Sequence, residues 1–310
     1  MWRSDYVPKI RFLRLQVPAF VFSGVLILGS TLSLWFHGLE LGIDFTGGTL
    51  LELSYKNPVQ LAPVREALSG GGFGGALVQH YGNPRDVLVR VPPQGAKQSA
   101  DLSNRVLEAL KKFEPTVELR RVEYVGPQVG SELVEGGGLA MLYTLAGILI
   151  YLAMRFEYRL STGAVVAALH DPFVIFGVFS VFRIEFDLTV LAAILAIIGY
   201  SINDTVVVYD RIRENFRKIR KGTTEEIIDG AINQTLSRTI GTSFATLLVV
   251  VALYLFGGDT LKGFSLALMI GIVVGTYSSI YVAASLAMVM GLSRQTLMVT
   301  QKSAESDNRP

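Results

Sequence analysis

Apolar residues along this chain gather into six long runs: Val17–Phe36, Gly137–Met154, Leu160–Phe182, Leu188–Tyr209, Thr239–Phe256 and Phe264–Leu292. A helix needs about 20 apolar residues to cross the hydrocarbon of a bilayer, so each run predicts one spanning helix. Arg3, Lys9, Arg11 and Arg14 precede the first run, as in a secretory signal. Its apolar stretch exceeds the roughly 7–15 residues of a signal core, and no small-x-small cleavage pattern follows. It reads as an uncleaved anchor.

Basic residues in short loops mark the cytoplasmic side. Beyond the N-terminal set, Arg155 and Arg159 lie between the second and third runs. Arg211, Arg213, Arg217, Lys218, Arg220 and Lys221 follow the fourth, and Arg294, Lys302 and Arg309 follow the sixth. The opposite short loops hold only Arg183 and Lys262. Both termini are therefore expected in the cytoplasm. The chain divides into an N-terminus with the first span (1–36), an external domain (37–135), a five-helix bundle (136–292) with a cytoplasmic elbow (210–238), and a cytoplasmic tail (293–310).

Within 37–135 the period changes. Thr49–Tyr55 reads as a strand, and Pro58–Leu68 as a helix with Leu61, Val64, Ala67 and Leu68 on one face. Ala76–Tyr81 and Asp86–Val91 read as paired strands joined by a turn, Gly82-Asn83-Pro84-Arg85. Ser99–Phe113 has a helical stripe of Leu102, Val106, Ala109, Leu110 and Phe113, and Val117–Tyr124 is a last strand. The order β-α-β-β-α-β is that of a ferredoxin-like domain. The run Gly70–Gly75 suggests a phosphate loop, but no Lys-Ser/Thr follows and no clean helix opens from it. It reads as a flexible turn, and no other segment suggests a nucleotide site. The fold class is thus a polytopic α-helical membrane protein with six transmembrane helices and an α+β ferredoxin-like external domain.

Past Tyr209, the residues Ile212, Phe216 and Ile219 form a narrow apolar stripe among basic residues, as in a helix lying at headgroup level. Gly222 is expected to end it. Thr223 and Glu226 have capping-box spacing for a following helix through Ile227, Ile228, Ala231 and Ile232.

Composition agrees with this picture. Half the residues are apolar, 17% are charged, and the mean hydropathy is +0.43. The net charge of +2 adds little. There is no cysteine, which excludes disulfides and thiolate metal sites. With three histidines, His37, His80 and His170, a histidine-rich metal centre is not expected either. No cofactor or metal and no nucleic-acid partner is implied.

The polar exceptions inside the spans carry the chemistry. Asp204 stands in Gly199-Tyr200-Ser201-Ile202-Asn203-Asp204-Thr205, within the fourth run. A charge near the centre of a spanning helix costs about 2.5–3.5 kcal/mol on insertion scales. Such a residue usually faces a protein interior or a water path, and ion coupling is the leading use. The plain alternative is a carboxylate held by Asn203, Ser201 or Thr205 for packing alone. Asp171 repeats the pattern in the third run, beside His170 and Pro172. Proline removes a backbone donor and can kink a helix. A proton relay with His170 competes there with a simple helix–helix hydrogen bond. Arg238, at the rim of the fifth run, reads from position alone as a snorkelling side chain. Gly271 and Gly275 suit close helix packing, with Tyr277, Ser278 and Ser279 near that contact.

Several motifs resemble one family. Gly42-Ile43-Asp44-Phe45-Thr46-Gly47-Gly48-Thr49, Gly126-Pro127-Gln128-Val129-Gly130, Ala168-Leu169-His170-Asp171 and the stretch 199–215 (GYSINDTVVVYDRIREN) are similar, in order, to those of the SecF family of the bacterial SecDF protein-export complex. Tyr209 stands where phenylalanine is frequent in that pattern. The resemblance implies an RND-type transporter half in the bacterial cytoplasmic (inner) membrane, paired with a SecD-like subunit. It further implies work beside the SecYEG translocon, using the proton-motive force to draw an unfolded polypeptide outward after the SecA ATPase has started it. The partners implied are thus the SecD-like subunit, SecYEG, the moving polypeptide and the lipid bilayer; the chain itself is not expected to be an enzyme. It assigns Asp204 and Arg238 to a proton path; the residues themselves add Asp171 as a second relay acid, with His170, Asn203, Ser201 and Thr205 as candidate support. Two rival readings remain: half of a small-molecule exporter of the same group, and a non-transporting scaffold for the translocon. Sodium would suit carboxylate, hydroxyl and carbonyl oxygens as well as protons do.

Overall fold

The computed structural model describes residues 10–93 and 99–297. Arg3, Lys9, Lys302, Arg309 and most of the tail lie outside the described residues. Two compact units emerge: one comprises Leu41–Ala140 with Glu185–Leu188, and the other holds the remaining described residues. In chain order the elements are α1 (Gln16–His37), β1 (Glu40–Leu41), α2 (Ile43–Thr46), β2 (Gly48–Ser54), α3 (Leu61–Gly70), β3 (Leu77–Tyr81) and β4 (Asn83–Val91). Then come α4 (Ser99–Phe113), β5 (Glu118–Val125), α5 (Pro127–Arg155), α6 (Tyr158–Val181), β6 (Glu185–Phe186), α7 (Leu188–Lys218), α8 (Thr224–Phe256), α9 (Lys262–Tyr277) and α10 (Ala284–Val289). A π-helical turn, Ser278–Ala283, joins the last two helices into one span.

Among the described residues, six helical segments are long and apolar enough to cross a membrane. A helix satisfies its interior backbone groups within itself, as a bilayer requires. The chain is a multi-pass membrane protein. On α1 the exposed residues Val17, Val21, Val25, Leu28 and Leu32 follow helical spacing, while Ala19, Ser23, Ser30 and Ser33 are buried. Small residues permit the close approach of helices. A Cβ at Gly177 would lie 1.8 Å from Ser30 Oγ, and one at Gly163 2.7 Å from the Ala283 carbonyl oxygen. At Gly271 it would meet Ile197 Cδ1 at 2.2 Å. The glycines of the sixth span are therefore packing residues, as their spacing suggests.

Two features of the expected elbow differ. The fourth span does not stop at Tyr209 but continues as one 31-residue helix to Lys218, and α8 is a single 33-residue helix from Thr224. Ile212 and Phe216 are buried inside the protein rather than laid on headgroups, and only Ile219 is exposed. The periodicity was helical, but a stripe alone does not say whether lipid or protein covers it. The start of α8 is as expected: the Thr223 hydroxyl accepts from Glu226 N at 3.2 Å, and the Glu226 carboxylate accepts from Thr223 N at 3.0 Å. Gly222 supplies the positive φ of 119° before it.

The second unit is an antiparallel sheet in the order β3-β4-β2-β5. With α3 between β2 and β3 and α4 between β4 and β5, this is the ferredoxin-like arrangement. Leu51 and Leu53 of β2 pack with Val87 and Val89 of β4, Val64 and Leu68 of α3, and Val106 and Leu110 of α4. The hairpin is tighter than the sequence suggests. β4 begins at Asn83, and Gly82 alone turns the chain with φ 76°. The Asn83 carboxamide oxygen accepts from Arg85 N and Asp86 N at 2.7 and 3.1 Å, so polar turn chemistry occurs within the strand. The glycine run is a turn, as expected. Phe73 N donates to the Leu68 carbonyl at 2.8 Å, and the Phe73 ring is buried in the core.

Candidate functional site in the membrane helices

The third, fourth and sixth spans bring their polar residues to one place. Asp171 is completely buried. Its Oδ2 accepts from Ser201 Oγ of α7 at 2.5 Å and from Ser278 Oγ at 2.9 Å, and its Oδ1 faces His170 Nδ1 at 3.0 Å. Helix α6 passes through Pro172 without interruption. One turn along α7, Thr205 Oγ1 and Ser279 Oγ share a hydrogen bond of 2.9 Å, and the Ser201 carbonyl lies 3.3 Å from each hydroxyl, accepting from the one that does not donate to the other. Gly275 makes room for this cluster: a Cβ there would lie 3.1 Å from Ser201 Oγ and 3.4 Å from Asp171 Oδ2.

Asp204 is buried too, yet it stands apart from this network. Its Oδ2 is out of contact with solvent and, among the described residues, has no hydrogen-bond partner. Among the described residues, no hydrogen bond joins the side chain of Asn203, Ser201 or Thr205 to that carboxylate. Ser201 serves Asp171, Thr205 serves Ser279, and Asn203 is exposed. Helix geometry explains this, since successive residues point about 100° apart and only some share a face. Arg238 lies inside α8 and is exposed. Among the described residues it makes no ion pair with Asp204, though its charge is near enough to act on that carboxylate.

His170 has a second buried nitrogen, Nε2, without a hydrogen-bond partner among the described residues. Its ring lies 6.4 Å from that of Tyr277, whose hydroxyl donates to the Ala19 carbonyl at 2.8 Å and lies 3.0 Å from Ser23 Oγ. Asp210, beyond the apolar part of α7, takes both its bonds from Arg155 at 2.7 Å, and Glu214 pairs with Arg211 and Lys218. These are surface ion pairs. Tyr209 donates its hydroxyl to the Ala283 carbonyl at 2.9 Å, at the end of the π turn. The partners that sequence reasoning missed are Ser278 and Ser279 as hydrogen-bonding members of the cluster. Their signal was the run Thr276-Tyr277-Ser278-Ser279 in an otherwise apolar span. A π turn widens a helix and often marks a functional site.

The motif after the first span has its own geometry, inside the sheet-bearing unit. Ile43–Thr46 is one helical turn between Gly42 and Gly47. At Gly48, φ is 124° and a Cβ would sit 2.6 Å from the Val91 carbonyl oxygen, so no other residue fits. A Cβ at Gly130 would lie 3.0 Å from Gly47 N, so the two glycine motifs close on each other.

Two family models match: "SecD/SecF GG Motif" over residues 32–59, and "Protein export membrane protein SecD/SecF, C-terminal" over residues 105–293. A protein translocase subunit SecF from Vibrio alginolyticus is 50% identical over 97% of this chain and 97% of its own length. The chain belongs to the SecF family. Its SecF relatives include those of Pseudomonas aeruginosa, 46% identical over 98% of this chain and 99% of their own, and of Escherichia coli O157:H7, 42% identical over 96% and 93%. Among solved structures, the translocon-associated membrane protein SecDF of Thermus thermophilus matches with a TM-score of 0.84 and 37% identity over 94% of this chain. The match covers 39% of that longer SecDF chain. SecDF in its super-membrane-facing form matches with a TM-score of 0.69 and 35% identity. The SecF assignment therefore rests on whole-length relatives, and the longer SecDF chains carry a further portion that this chain does not match.

Proposed function

We propose that this SecF-family chain is an accessory subunit of Sec protein export that couples the proton-motive force to the late, ATP-independent outward movement of secreted polypeptides. In this reading it pairs with a SecD-like subunit beside the SecYEG channel. It sits in the bacterial cytoplasmic membrane with both termini in the cytoplasm and the sheet-bearing domain outside. The observation that carries the coupling is the contrast between the two buried acids. Asp171 has its hydrogen bonds filled by Ser201, Ser278 and His170, whereas Asp204, on the same helix as Ser201, leaves a buried oxygen unfilled.

An unfilled buried carboxylate oxygen costs far more when the group is charged than when it is protonated. Asp204 is thus the group that exchanges a proton, and Asp171 the group that registers where α7 lies. A proton reaching Asp204 removes the charge that Arg238 faces. The fourth helix then moves relative to the third and sixth, exchanging the Ser201 bond. Each charge carried across the field supplies about 2.3 kcal/mol per 100 mV. The movement is passed to the external domain, which grips the emerging polypeptide.

The test is export into vesicles containing the chain, its SecD-like partner and the translocon, under a proton gradient and then a sodium gradient. Asp204→Asn is expected to abolish gradient-dependent export while leaving ATP-driven export in place. Full gradient-driven export by Asp204→Asn refutes the reading. Retained export by Asp171→Asn with Asp204→Asn selects the scaffold, and a gradient response to sodium alone changes the ion.

A further inference from the structure

We infer that the Glu185–Leu188 segment is a handle by which the sheet-bearing domain moves the fourth helix, with Asp44 as the positioning residue that holds it. The inference rests on the export reading above. This short segment between the third and fourth spans belongs, by its contacts, to the sheet-bearing unit rather than to the helices it joins. Four separate attachments secure it. Asp44 Oδ2 accepts from Leu188 N at 3.0 Å, and the Phe186 carbonyl accepts from Gly42 N at 2.8 Å. The rings of Phe45 and Phe186 stack at 5.8 Å and 23°. Arg90 of β4 pairs with Glu185 and also donates to the Leu41 carbonyl at 2.6 Å.

Leu188 is the first residue of α7. The first amides of a helix lack partners within it, and a carboxylate near them also interacts favourably with the helix dipole. Asp44 supplies both from a residue distant in sequence. From Leu188 the helix is unbroken to Lys218 and carries Ser201, Asp204 and Thr205. A shift imposed on Leu188 therefore travels about 20 Å along a continuous helix to the Ser201–Asp171 bond. The other helix leaving this domain, α5, carries no ionisable side chain between Gly136 and Tyr143 or from Thr144 to Met154 other than the tyrosines. The α5 connection tethers; the Asp44 connection transmits.

The absence of cysteine makes the test direct. Phe45→Cys with Phe186→Cys is introduced, joined by a short thiol cross-linker, and proton-driven export is measured before and after reduction. A handle moves with its domain, so the cross-linked protein is expected to export as the reduced one does. Loss of export on cross-linking, restored by reduction, overturns the proposal. In parallel, Asp44→Ala is expected to lower proton-driven export about fivefold, the scale of a lost helix cap, with ATP-driven export unchanged and with Asp44→Asn restoring the rate. Wild-type proton-driven export by a folded Asp44→Ala also overturns it; should that variant not fold, the cross-link decides. Asp204→Asn in the same vesicles tests the export reading itself: an Asp204→Asn protein with full proton-driven export fails that reading whatever the cross-link does.

Discussion

Ser201 of the fourth span donates its hydroxyl to Asp171 of the third at 2.5 Å, and both side chains are buried. An intramolecular hydrogen bond contributes about 0.5–1.5 kcal/mol net, and leaving a buried partner unfilled costs about 1–3 kcal/mol. Ser201→Ala leaves Asp171 with Ser278 and His170 only. The expected outcome is a lower melting temperature in detergent and slowed proton-driven export, with Ser201→Thr retaining more of both. An unchanged melting temperature would show that the bond contributes nothing.

Gly275 and Gly271 set the distance between the fourth and sixth spans. Gly271→Ala drives a methyl group to 2.2 Å from Ile197 Cδ1, and Gly275→Ala places one 3.1 Å from Ser201. Overpacking of this kind costs about 1–3 kcal/mol. Thermal unfolding should show the larger loss at Gly271, and Ile197→Ala should relieve it. Failure of that rescue would place the strain elsewhere.

A clasp on the first helix is a separate target. Asp229 Oδ1 of α8 accepts from Leu13 N at 3.0 Å, while Asn233 accepts from Ile10 N at 3.1 Å and donates to the Ile10 carbonyl at 2.7 Å. Asp229→Ala removes a cap worth about 1 kcal/mol. Hydrogen exchange at residues 10–13 should accelerate by about fivefold while exchange in α6 stays as it was. Equal exchange in both proteins contradicts the clasp.

Tyr55 gives a pH dependence in the sheet-bearing domain. Burial pushes its phenol from 10.0 up to about 12, with the Glu114 charge adding to the rise. A group whose folded value is raised contributes stability that is intact below its unfolded value and lost as pH climbs through the folded one. Between pH 10 and about 12 the unfolded chain ionises while the folded one does not, a loss of about 2–3 kcal/mol at most. The Tyr55 hydroxyl has no hydrogen-bond partner among the described residues. Tyr55→Phe is therefore expected to match or exceed wild-type stability at pH 8 and to flatten the alkaline decline. A steeper decline in the variant would reverse the sign of the argument.

Much of this architecture is written in local spacing. Apolar runs of spanning length, the capping box at Thr223 and Glu226, and the strand and helix periods of the sheet-bearing domain each depend on residues a few positions apart. The two acids were visible for the same reason: a charge in an apolar run stands out without knowledge of its neighbours. The errors fall where a boundary or a facing surface depends on distant contacts. The fourth helix runs on through an expected elbow, and Ile212 and Phe216 face protein.

By itself, then, the sequence determined six spans, a ferredoxin-like domain and two acids in apolar surroundings, because periodicity and burial cost are properties of short segments. Only the tertiary structure decided which partner each acid takes. Ser201 lies 30 positions from Asp171, Ser278 lies 107 away, and Asp44 reaches Leu188 across 144. Pairings of that range are set by helix packing and by which residues share a face. For that reason Ser201 bonds Asp171 and leaves its near neighbour Asp204 with an unfilled oxygen.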